Sequence, residues 1–209
     1  QGDVRILLAI VKYIEDKMNV AHDTGKVGVP VVIVIEDNIR FYSSFLPMFY
    51  TELMKHSHSL LPEGINLSHK LMRIRARPKI LLCSTYEEAW GYFEAFPDEV
   101  LGIISDIEFP REGRLDNEAG VAFATAVRDV RRDVPIMLQS SHPKNEALAR
   151  SVGSSFLLKG SPVLLDQLRK FMVENFSFGD FVFRLPSGTE VGRAHDLKTL
   201  ERQLHTVPV

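Results

Sequence analysis

The stretch LGIISDIEFP, residues 101–110, begins as an apolar, β-branched run and ends on acidic residues and a proline. The apolar half is typical of a strand that is buried on both faces, as the strands of parallel sheets are. Asp106 therefore stands at the tip of a predicted buried strand, and Glu108 follows two residues later. The residues at the other strand ends indicate which function these carboxylates have.

Predicted strands and helices alternate along the chain. The apolar runs VPVVIVI, KILLC, VPIML and SSFLL are predicted as four further strands. Each strand precedes a helical segment, and the first of these runs over residues 39–60. Thr85 and Glu88 have the spacing of a capping box, and Ser161 with Pro162 is predicted to start the last helix. Five strand and helix pairs predict an α/β fold, in which helices cover both faces of a five-stranded parallel sheet.

The carboxyl ends of parallel strands lie at one edge of the sheet, where such folds bind ligands. The polar residues at these ends are Glu36 and Asp37 after the first strand, Asp106 after the third, Ser140 after the fourth and Lys159 after the fifth. Three carboxylates so close together favour a hard cation such as Mg²⁺. A carboxylate held by a metal and faced by a lysine can attack phosphorus and form an acyl phosphate, while a hydroxyl donates to a transferring oxygen.

Each of these residues also has an ordinary structural role. Asp106 could cap a helix, Ser140 could form a turn, and Lys159 could be a surface charge. It is their joint occurrence, in order at four strand ends, that favours the phosphoryl acceptor.

The same residues lie in motifs that resemble the receiver domain of two-component response regulators. The matching stretches are VIEDN, IISDIEFP, VPIMLQSS and SFLLKGSP, and the resemblance covers about residues 29–175. It implies a flavodoxin-like sheet with strand order 2-1-3-4-5. It also implies Asp106 as the phosphoacceptor, and Mg²⁺ bound by Asp37, Asp106 and the backbone carbonyl of Glu108, with Glu36 assisting through water. By the same resemblance Ser140 is the switch hydroxyl, Lys159 is the family's lysine, and Phe156 is the switch aromatic residue.

Three features depart from the family pattern. A basic segment, residues 56–79, separates Asp37 from Asp106 by more than the usual length. The polar loop after Pro110 is also long, and Gly120 takes the place of a glycine that usually lies nearer the strand. Lys159 is followed by Gly160 and Ser161, where a proline usually comes directly. These departures affect loops and the choice of partner and leave the candidate site residues in place.

Composition limits the kind of protein. The chain has 209 residues, 45% of them apolar, a single cysteine and a formal net charge of -2. We therefore expect a soluble cytoplasmic domain without an internal disulfide, and neither a membrane nor nucleic acid as partner. The basic stretch HKLMRIRARPK, which lacks aromatic residues for base stacking, is interpreted as a solvated helix end. His56 and His58 are interpreted as surface residues.

We predict three parts: an N-terminal helix or linker over residues 1–24, the receiver over 25–176, and a β-hairpin with a helix over 177–209. The first helix, over residues 2–19, carries an apolar stripe formed by Val4, Leu7, Val11, Ile14 and Met18. That stripe fits the last helix of a preceding domain, a coiled-coil linker or a homodimer contact. The C-terminal part resembles a segment that joins receivers to phosphoenolpyruvate-synthase-like modules, so we expect a longer protein with an effector domain.

The leading hypothesis is a phosphoacceptor that takes its phosphoryl group from a histidine kinase or phosphotransfer protein and catalyses at most its own phosphorylation. One alternative is a docking module of the same fold that is never phosphorylated. The other is a phosphohydrolase of the haloacid dehalogenase type. Those enzymes need a second aspartate where Glu108 stands, and their nucleophile follows the first strand instead of the third.

Overall fold

The computed structural model describes residues 4–59, 77–176, 181–185, 189–194 and 202. The elements are, in chain order, α1 (Val4–Asp23), β1 (Val31–Ile35), α2 (Ile39–Ser59), β2 (Lys79–Cys83), α3 (Tyr86–Ala95), β3 (Val100–Asp106), β4 (Phe109–Arg111), β5 (Arg114–Asp116), α4 (Ala119–Val130), β6 (Ile136–Ser140), a 3₁₀ turn (Pro143–Asn145), α5 (Glu146–Ser151), β7 (Ser155–Leu158), α6 (Leu164–Asn175), β8 (Phe181–Arg184) and β9 (Glu190–Ala194).

The main sheet has five parallel strands in the order β2-β1-β3-β6-β7. Counted among themselves, these strands have the predicted order 2-1-3-4-5, and the predicted flavodoxin-like α/β fold is confirmed. Strand β1, between β2 and β3, is buried along its whole length because helices cover both faces of the sheet. Helices α3, α4 and α5 cover one face of the sheet, and the core beneath them includes Phe93 and Phe123. Helices α2 and α6 cover the opposite face, and the core beneath them includes Phe49 and Phe171.

An aromatic group joins α3 to α4. Trp90, the only tryptophan of the chain, meets Phe123 of α4 edge to face at 6.0 Å between ring centroids. Tyr86 stacks on Trp90 at 6.3 Å, and the guanidinium carbon of Arg111 lies 4.6 Å from the Tyr86 ring centre. Such ring–ring and cation–π contacts stabilise the fold in addition to the stabilisation that comes from burying the rings. The start of α4 is therefore packed firmly against α3.

The loop after Pro110 is more ordered than predicted. Residues expected to form a polar loop make an antiparallel hairpin of β4 and β5, with Glu112 and Gly113 at its turn. Both turn residues have positive φ, 53° and 72°, which is the backbone that two-residue hairpins favour. The start of the last receiver helix was also misplaced: α6 begins at Leu164, and Ser161 accepts only a long hydrogen bond from the Val163 N–H, at 3.4 Å. Thr85 caps α3 as predicted by accepting from the Glu88 N–H, whereas the Glu88 carboxylate accepts from the Ser84 N–H, one residue before the cap.

Helix α1 docks on the β2 edge of the sheet, where it packs against β2 and α2. The prediction of a helix here is confirmed, and the four members of its apolar stripe whose side chains are described lie on the side away from this domain: Leu7, Val11, Ile14 and Met18. The buried side carries Asp16, which has no exposed surface. Ala9 and Val20 are buried on α1 as well, so the helix faces the domain with small apolar residues and one aspartate instead of the apolar stripe.

Asp16 is the centre of a buried polar network that we call the Asp16 cluster: Asp16, Tyr50, Arg77, Lys79 and Asp23. The Arg77 guanidinium donates to both Asp16 oxygens, at 2.7 and 3.0 Å, and the Tyr50 hydroxyl donates at 2.9 Å. The Ile80 N–H donates at 3.0 Å, and Lys79 pairs with Asp23 at 2.6 Å. Interpreting the basic stretch as a solvated helix end was thus wrong for Arg77 and Lys79, which are buried. Its other cations, Lys70, Arg73 and Arg75, lie outside the described residues, as do the side chains of His56 and His58.

The end of α6 is fixed against the centre of the sheet. The ring of Phe176 lies over Gly102 of β3, so closely that a Cβ at Gly102 would lie 2.0 Å from the ring. Strands β8 and β9 then form the predicted antiparallel hairpin. The helix predicted after it lies outside the described residues apart from Arg202, and Phe178 lies outside them altogether. Within the described part of the chain, no helix is both long and apolar enough to cross a membrane.

Candidate functional site

Three carboxylates meet at the carboxyl edge of the sheet. Glu36 and Asp37 directly follow β1, and Asp106 is the last residue of its neighbour β3. One oxygen from each carboxylate lies within 4.8 Å of the others. Glu36 and Asp106 are buried, whereas Asp37 is exposed. The predicted acidic residues are therefore brought together, with one of them open to solvent.

Lys159 balances two of these carboxylates. It follows β7, and its Nζ lies 2.7 Å from Glu36 Oε2 and also donates to Asp106 Oδ2. The side chain is only 3% exposed, and its Nζ lies 4.3 Å from the centre of the Phe41 ring on α2. The aromatic face adds an attraction for the ammonium group in a place that water hardly reaches. One cation thus serves two buried anions.

Glu36 is held by neighbours on both sides. Its Oε1 accepts from the Asn38 N–H at 3.1 Å, and its Oε2 accepts from Gln139 Nε2 at 2.9 Å. Burial is the main cause that raises the pKa of Glu36 to about 7, against the opposing effect of Lys159. Burial likewise raises the pKa of Asp106. Both shifts mean that Lys159 offsets only part of the cost of burying the two carboxylates.

The backbone around Asp106 is tightly packed. Asp106 Oδ1 accepts from the Ile107 N–H at 2.7 Å, and the Glu108 N–H lies at 3.5 Å from the same oxygen. Gly120, in the first turn of α4, donates its N–H to the Ile107 carbonyl at 3.0 Å. A Cβ at Gly120 would lie 2.2 Å from the Asp106 carbonyl oxygen. Only glycine lets α4 approach the end of β3 this closely, which explains why a glycine occupies this position in the first turn of α4.

Ser140 and Phe156 lie on the next two strands. Ser140 ends β6 and is buried, and its hydroxyl oxygen accepts from the His142 N–H at 3.1 Å and from Asn145 Nδ2 at 3.0 Å. The Asn145 amide also lies 3.4 Å from Glu108 Oε1. Phe156 is half-buried on β7 and packs against the core that α3, α4 and α5 cover. Its ring thus lies on the same side of the sheet as α4 and α5.

The donor set fits a hard divalent cation. Three carboxylate oxygens within 4.8 Å of one another are ligands that Mg²⁺ accepts, and the exposed Asp37 leaves an approach from solvent. The raised pKa of Glu36 marks a place where added positive charge would be stabilising. Gln139 Oε1 is a further buried oxygen beside Glu36, and it accepts no hydrogen bond from the residues that the structure describes.

No protein-family model matches the sequence. No curated protein gives a significant match either. Among solved structures, a response regulator receiver domain protein from Clostridium thermocellum is 14% identical, with a TM-score of 0.50, and the match covers 71% of this chain and 94% of that one. The chain has the receiver-domain fold. The receiver domain of NtrX from Brucella abortus also matches, at 15% identity and a TM-score of 0.46, over 70% of this chain and 98% of that one. These matches give no support to the expected link with a phosphoenolpyruvate-synthase-like protein.

Three residues of this receiver-fold site were not singled out in the sequence. Gln139 lies in a strand-end run that was examined for its serines, although a glutamine in an otherwise apolar strand is itself a signal. Phe41 and Asn145 gave no local signal, because an aromatic residue on an amphipathic helix and an asparagine in a turn are ordinary. Phe41 contacts Lys159, which lies far along the chain. Asn145 is near Ser140 in sequence, but the hydrogen bond between them depends on the conformation of the turn.

Proposed function

We propose that the chain is a phosphoacceptor receiver domain of a two-component or phosphorelay system, with Asp106 as the residue that is phosphorylated. The observation that supports this most is the convergence of Asp106, Glu36, Asp37 and Lys159 at the carboxyl edge of a receiver-fold sheet. A buried carboxylate can act as the nucleophile, the adjacent buried ammonium group can offset charge on the phosphoryl group, and two more carboxylates can bind a cation.

In the proposed step, an Asp106 carboxylate oxygen attacks the phosphorus atom of the donor. The bond from phosphorus to the leaving atom breaks, and the leaving group, acetate or a histidine imidazole, departs with the electron pair. Asp106 becomes an acyl phosphate. Lys159 stays within reach of the new group and offsets part of its charge, and Ser140 donates its hydroxyl hydrogen to a phosphoryl oxygen.

Mg²⁺ would be held by Asp37, Asp106 and the backbone carbonyl of Glu108, with Glu36 assisting, mainly through water. When bound, it neutralises charge on the transferring phosphoryl oxygens. A histidine kinase or a phosphotransfer protein would supply the phosphoryl group in the cytoplasm, and an effector domain or a second copy of the chain would respond. Phe156 is the proposed switch aromatic residue.

The test uses acetyl phosphate and Mg²⁺ with the purified chain, followed by intact mass measurement. The wild type should gain one phosphoryl group, and Asp106→Asn should not. Asp98→Asn makes the same change at a well-exposed aspartate and should label like the wild type. Equal labelling of Asp106→Asn would sink the assignment.

The same samples separate the alternatives. A docking module of this fold would show no mass gain and no response to Mg²⁺. A phosphohydrolase would release phosphate from p-nitrophenyl phosphate with many turnovers. Glu108 has its carboxylate beside Asn145, at 3.4 Å from the amide nitrogen, and we expect no such turnover.

A further inference from the structure

The buried hydroxyl group of Ser140 accepts hydrogen bonds but donates none to the described residues. Ser140 is 1% exposed, and its Oγ accepts two hydrogen bonds, from the His142 N–H and from Asn145 Nδ2. A hydroxyl oxygen has two accepting positions and one hydrogen to donate. Both accepting positions are therefore filled, and no acceptor for the hydrogen is found among the residues that the structure describes. The hydroxyl can therefore make a further hydrogen bond only as a donor.

The direction of the Asn145 hydrogen bond is fixed by Glu108. Asn145 Nδ2 lies 3.0 Å from Ser140 Oγ and 3.4 Å from Glu108 Oε1. An ionised carboxylate can only accept, so the amide nitrogen, not the amide oxygen, must face this side. Asn145 itself is buried and ends a 3₁₀ turn that begins at Pro143, and its N–H donates to the His142 carbonyl at 3.1 Å. The turn therefore presents the amide as a rigid donor.

We propose that Asn145 is a positioning residue, which commits the Ser140 hydroxyl to donating toward the phosphoryl group on Asp106. The inference rests on the proposed phosphoacceptor function and adds a residue to it. Glu108, His142 and Asn145 line an open pocket of about 490 Å³ beside the site. Without the amide, the hydroxyl can rotate or accept, and its readiness as a donor is lost.

Asn145→Asp tests this directly, because aspartate has nearly the shape of asparagine but accepts where asparagine donates. The aspartate should capture the Ser140 hydrogen. We expect the rate of phosphorylation by acetyl phosphate to fall about tenfold, the order expected from losing one hydrogen bond to a charged group. We also expect smaller amide shifts beyond Lys159 on adding beryllium fluoride with Mg²⁺.

Two comparisons separate positioning from a simple charge effect. Asn117→Asp adds the same charge to an exposed residue lining the same pocket, and it should leave the rate within about twofold of wild type. In a Ser140→Ala background, Asn145→Asp should add little, because the hydroxyl through which it acts is gone. Circular dichroism checks folding. If Asn145→Asp does not fold, Asn145→Ala replaces it in the same cycle.

A wild-type rate in Asn145→Asp would overturn the inference, as would an equal loss in Asn117→Asp or a full additional loss in the Ser140→Ala background. In each case, wild-type protein that still gains a phosphoryl group leaves the phosphoacceptor function standing. Failure of the wild type to be labelled would instead count against that function itself.

Discussion

The ammonium group of Lys159 lies 2.7 Å from Glu36 Oε2, and neither side chain is more than 3% exposed. The same ammonium group pairs with Asp106, so the interior of the site holds two carboxylates and one cation. Burying an anion without full compensation favours its protonated form. The excess charge should make the metal-free protein sensitive to pH, and it should be relieved by a bound cation.

The pKa of Glu36 is raised to about 7 in the folded protein from an ordinary value of 4.5. Between these values the folded state holds a proton that the unfolded chain releases, so the contribution of Glu36 to stability is lost as pH rises toward 7. Glu36→Gln stays neutral and should lack this loss. We expect the wild type to lose free energy of unfolding relative to Glu36→Gln between pH 4.5 and 7, as measured by urea titration at several pH values without metal.

Glu146→Gln changes an exposed glutamate in the same way and should follow the wild type over this range. Parallel pH profiles for wild type and Glu36→Gln would show that Glu36 does not carry the excess charge.

Mg²⁺ should bind weakly, because it keeps several waters and takes only one or two carboxylates directly. Asp37 is the exposed carboxylate of the three and is proposed as a direct ligand. Asp37→Ala should weaken Mg²⁺ binding about tenfold or more, by calorimetry or amide shifts. Asp98→Ala removes a well-exposed carboxylate elsewhere and should bind as the wild type does. Unchanged affinity in Asp37→Ala would place the ion elsewhere.

Gly120→Ala should both destabilise the protein and impair the site. Its Cβ would lie 2.2 Å from the Asp106 carbonyl oxygen and 2.9 Å from the Ile107 Cα, and backbone cannot move away cheaply. Overpacking of this kind costs about 1–3 kcal/mol. Displacement of Asp106 should also slow its labelling by acetyl phosphate. Thermal unfolding and intact mass measure the two effects.

Gly91→Ala is the matched control. Gly91 lies inside α3, and a Cβ there would meet nothing within 4 Å. Alanine should therefore stabilise the helix by about 0.5–1 kcal/mol, the opposite sign to Gly120→Ala. Equal effects at the two glycines would refute the close approach of α4 to Asp106.

Asp16→Ala should be among the most damaging single changes on α1. It leaves Arg77 buried without its carboxylate partner and removes the acceptor for the Tyr50 hydroxyl. Breaking a buried ion pair on one side costs about 3–5 kcal/mol. Glu15→Ala, at the preceding position and with a side chain that is 40% exposed, should cost less than about 1 kcal/mol. Urea unfolding measures both, and similar costs would mean that the Asp16 cluster does not anchor α1.

Beryllium fluoride with Mg²⁺ stands in for a phosphoryl group on Asp106 and should shift amide signals from Ser140 to beyond Lys159. We expect the loop after β6 to move toward the bound group and the half-buried Phe156 ring to turn inward, favoured by burial of its surface. Ser140→Ala should reduce the shifts, and Ser141→Ala, at the adjacent exposed serine, should not. Binding without any shift beyond Lys159 would break this route to a partner.

Much of the fold could be predicted because it depends on local pattern. A buried parallel strand is an apolar run, and residues at strand ends must share an edge once the strands are parallel, so Glu36, Asp106 and Lys159 could be placed together before any coordinates. The hairpin of β4 and β5 was missed because its turn depends on Glu112 adopting a positive φ, which a sequence rarely indicates.

The docking of α1 on this domain was not predicted, for a different reason. Its regular hydrophobic stripe pointed to partners outside the domain, and no pattern marked the opposite side as the one that packs on β2 and α2. Asp16 instead finds Arg77, 61 residues further along the chain, and a carboxylate with such partners can be buried where an isolated one cannot. No local rule connects two charged residues at that distance. Asn145 was not singled out for a similar reason. Its proposed role depends on the hydrogen bond that it donates to Ser140 Oγ, and an asparagine in a turn does not indicate such a bond.

Because Trp90 is the single indole of the chain, ultraviolet emission excited at the red edge of its absorption comes from one place, the interface of α3 and α4. Phe123, the ring it touches edge to face, lies about one helical turn beyond Gly120, which packs against the end of β3. A displacement of the first turn of α4 therefore changes the surroundings of the chromophore. If phosphorylation of Asp106 moves this turn, the fluorescence of Trp90 should report it in a stopped-flow instrument without an attached dye.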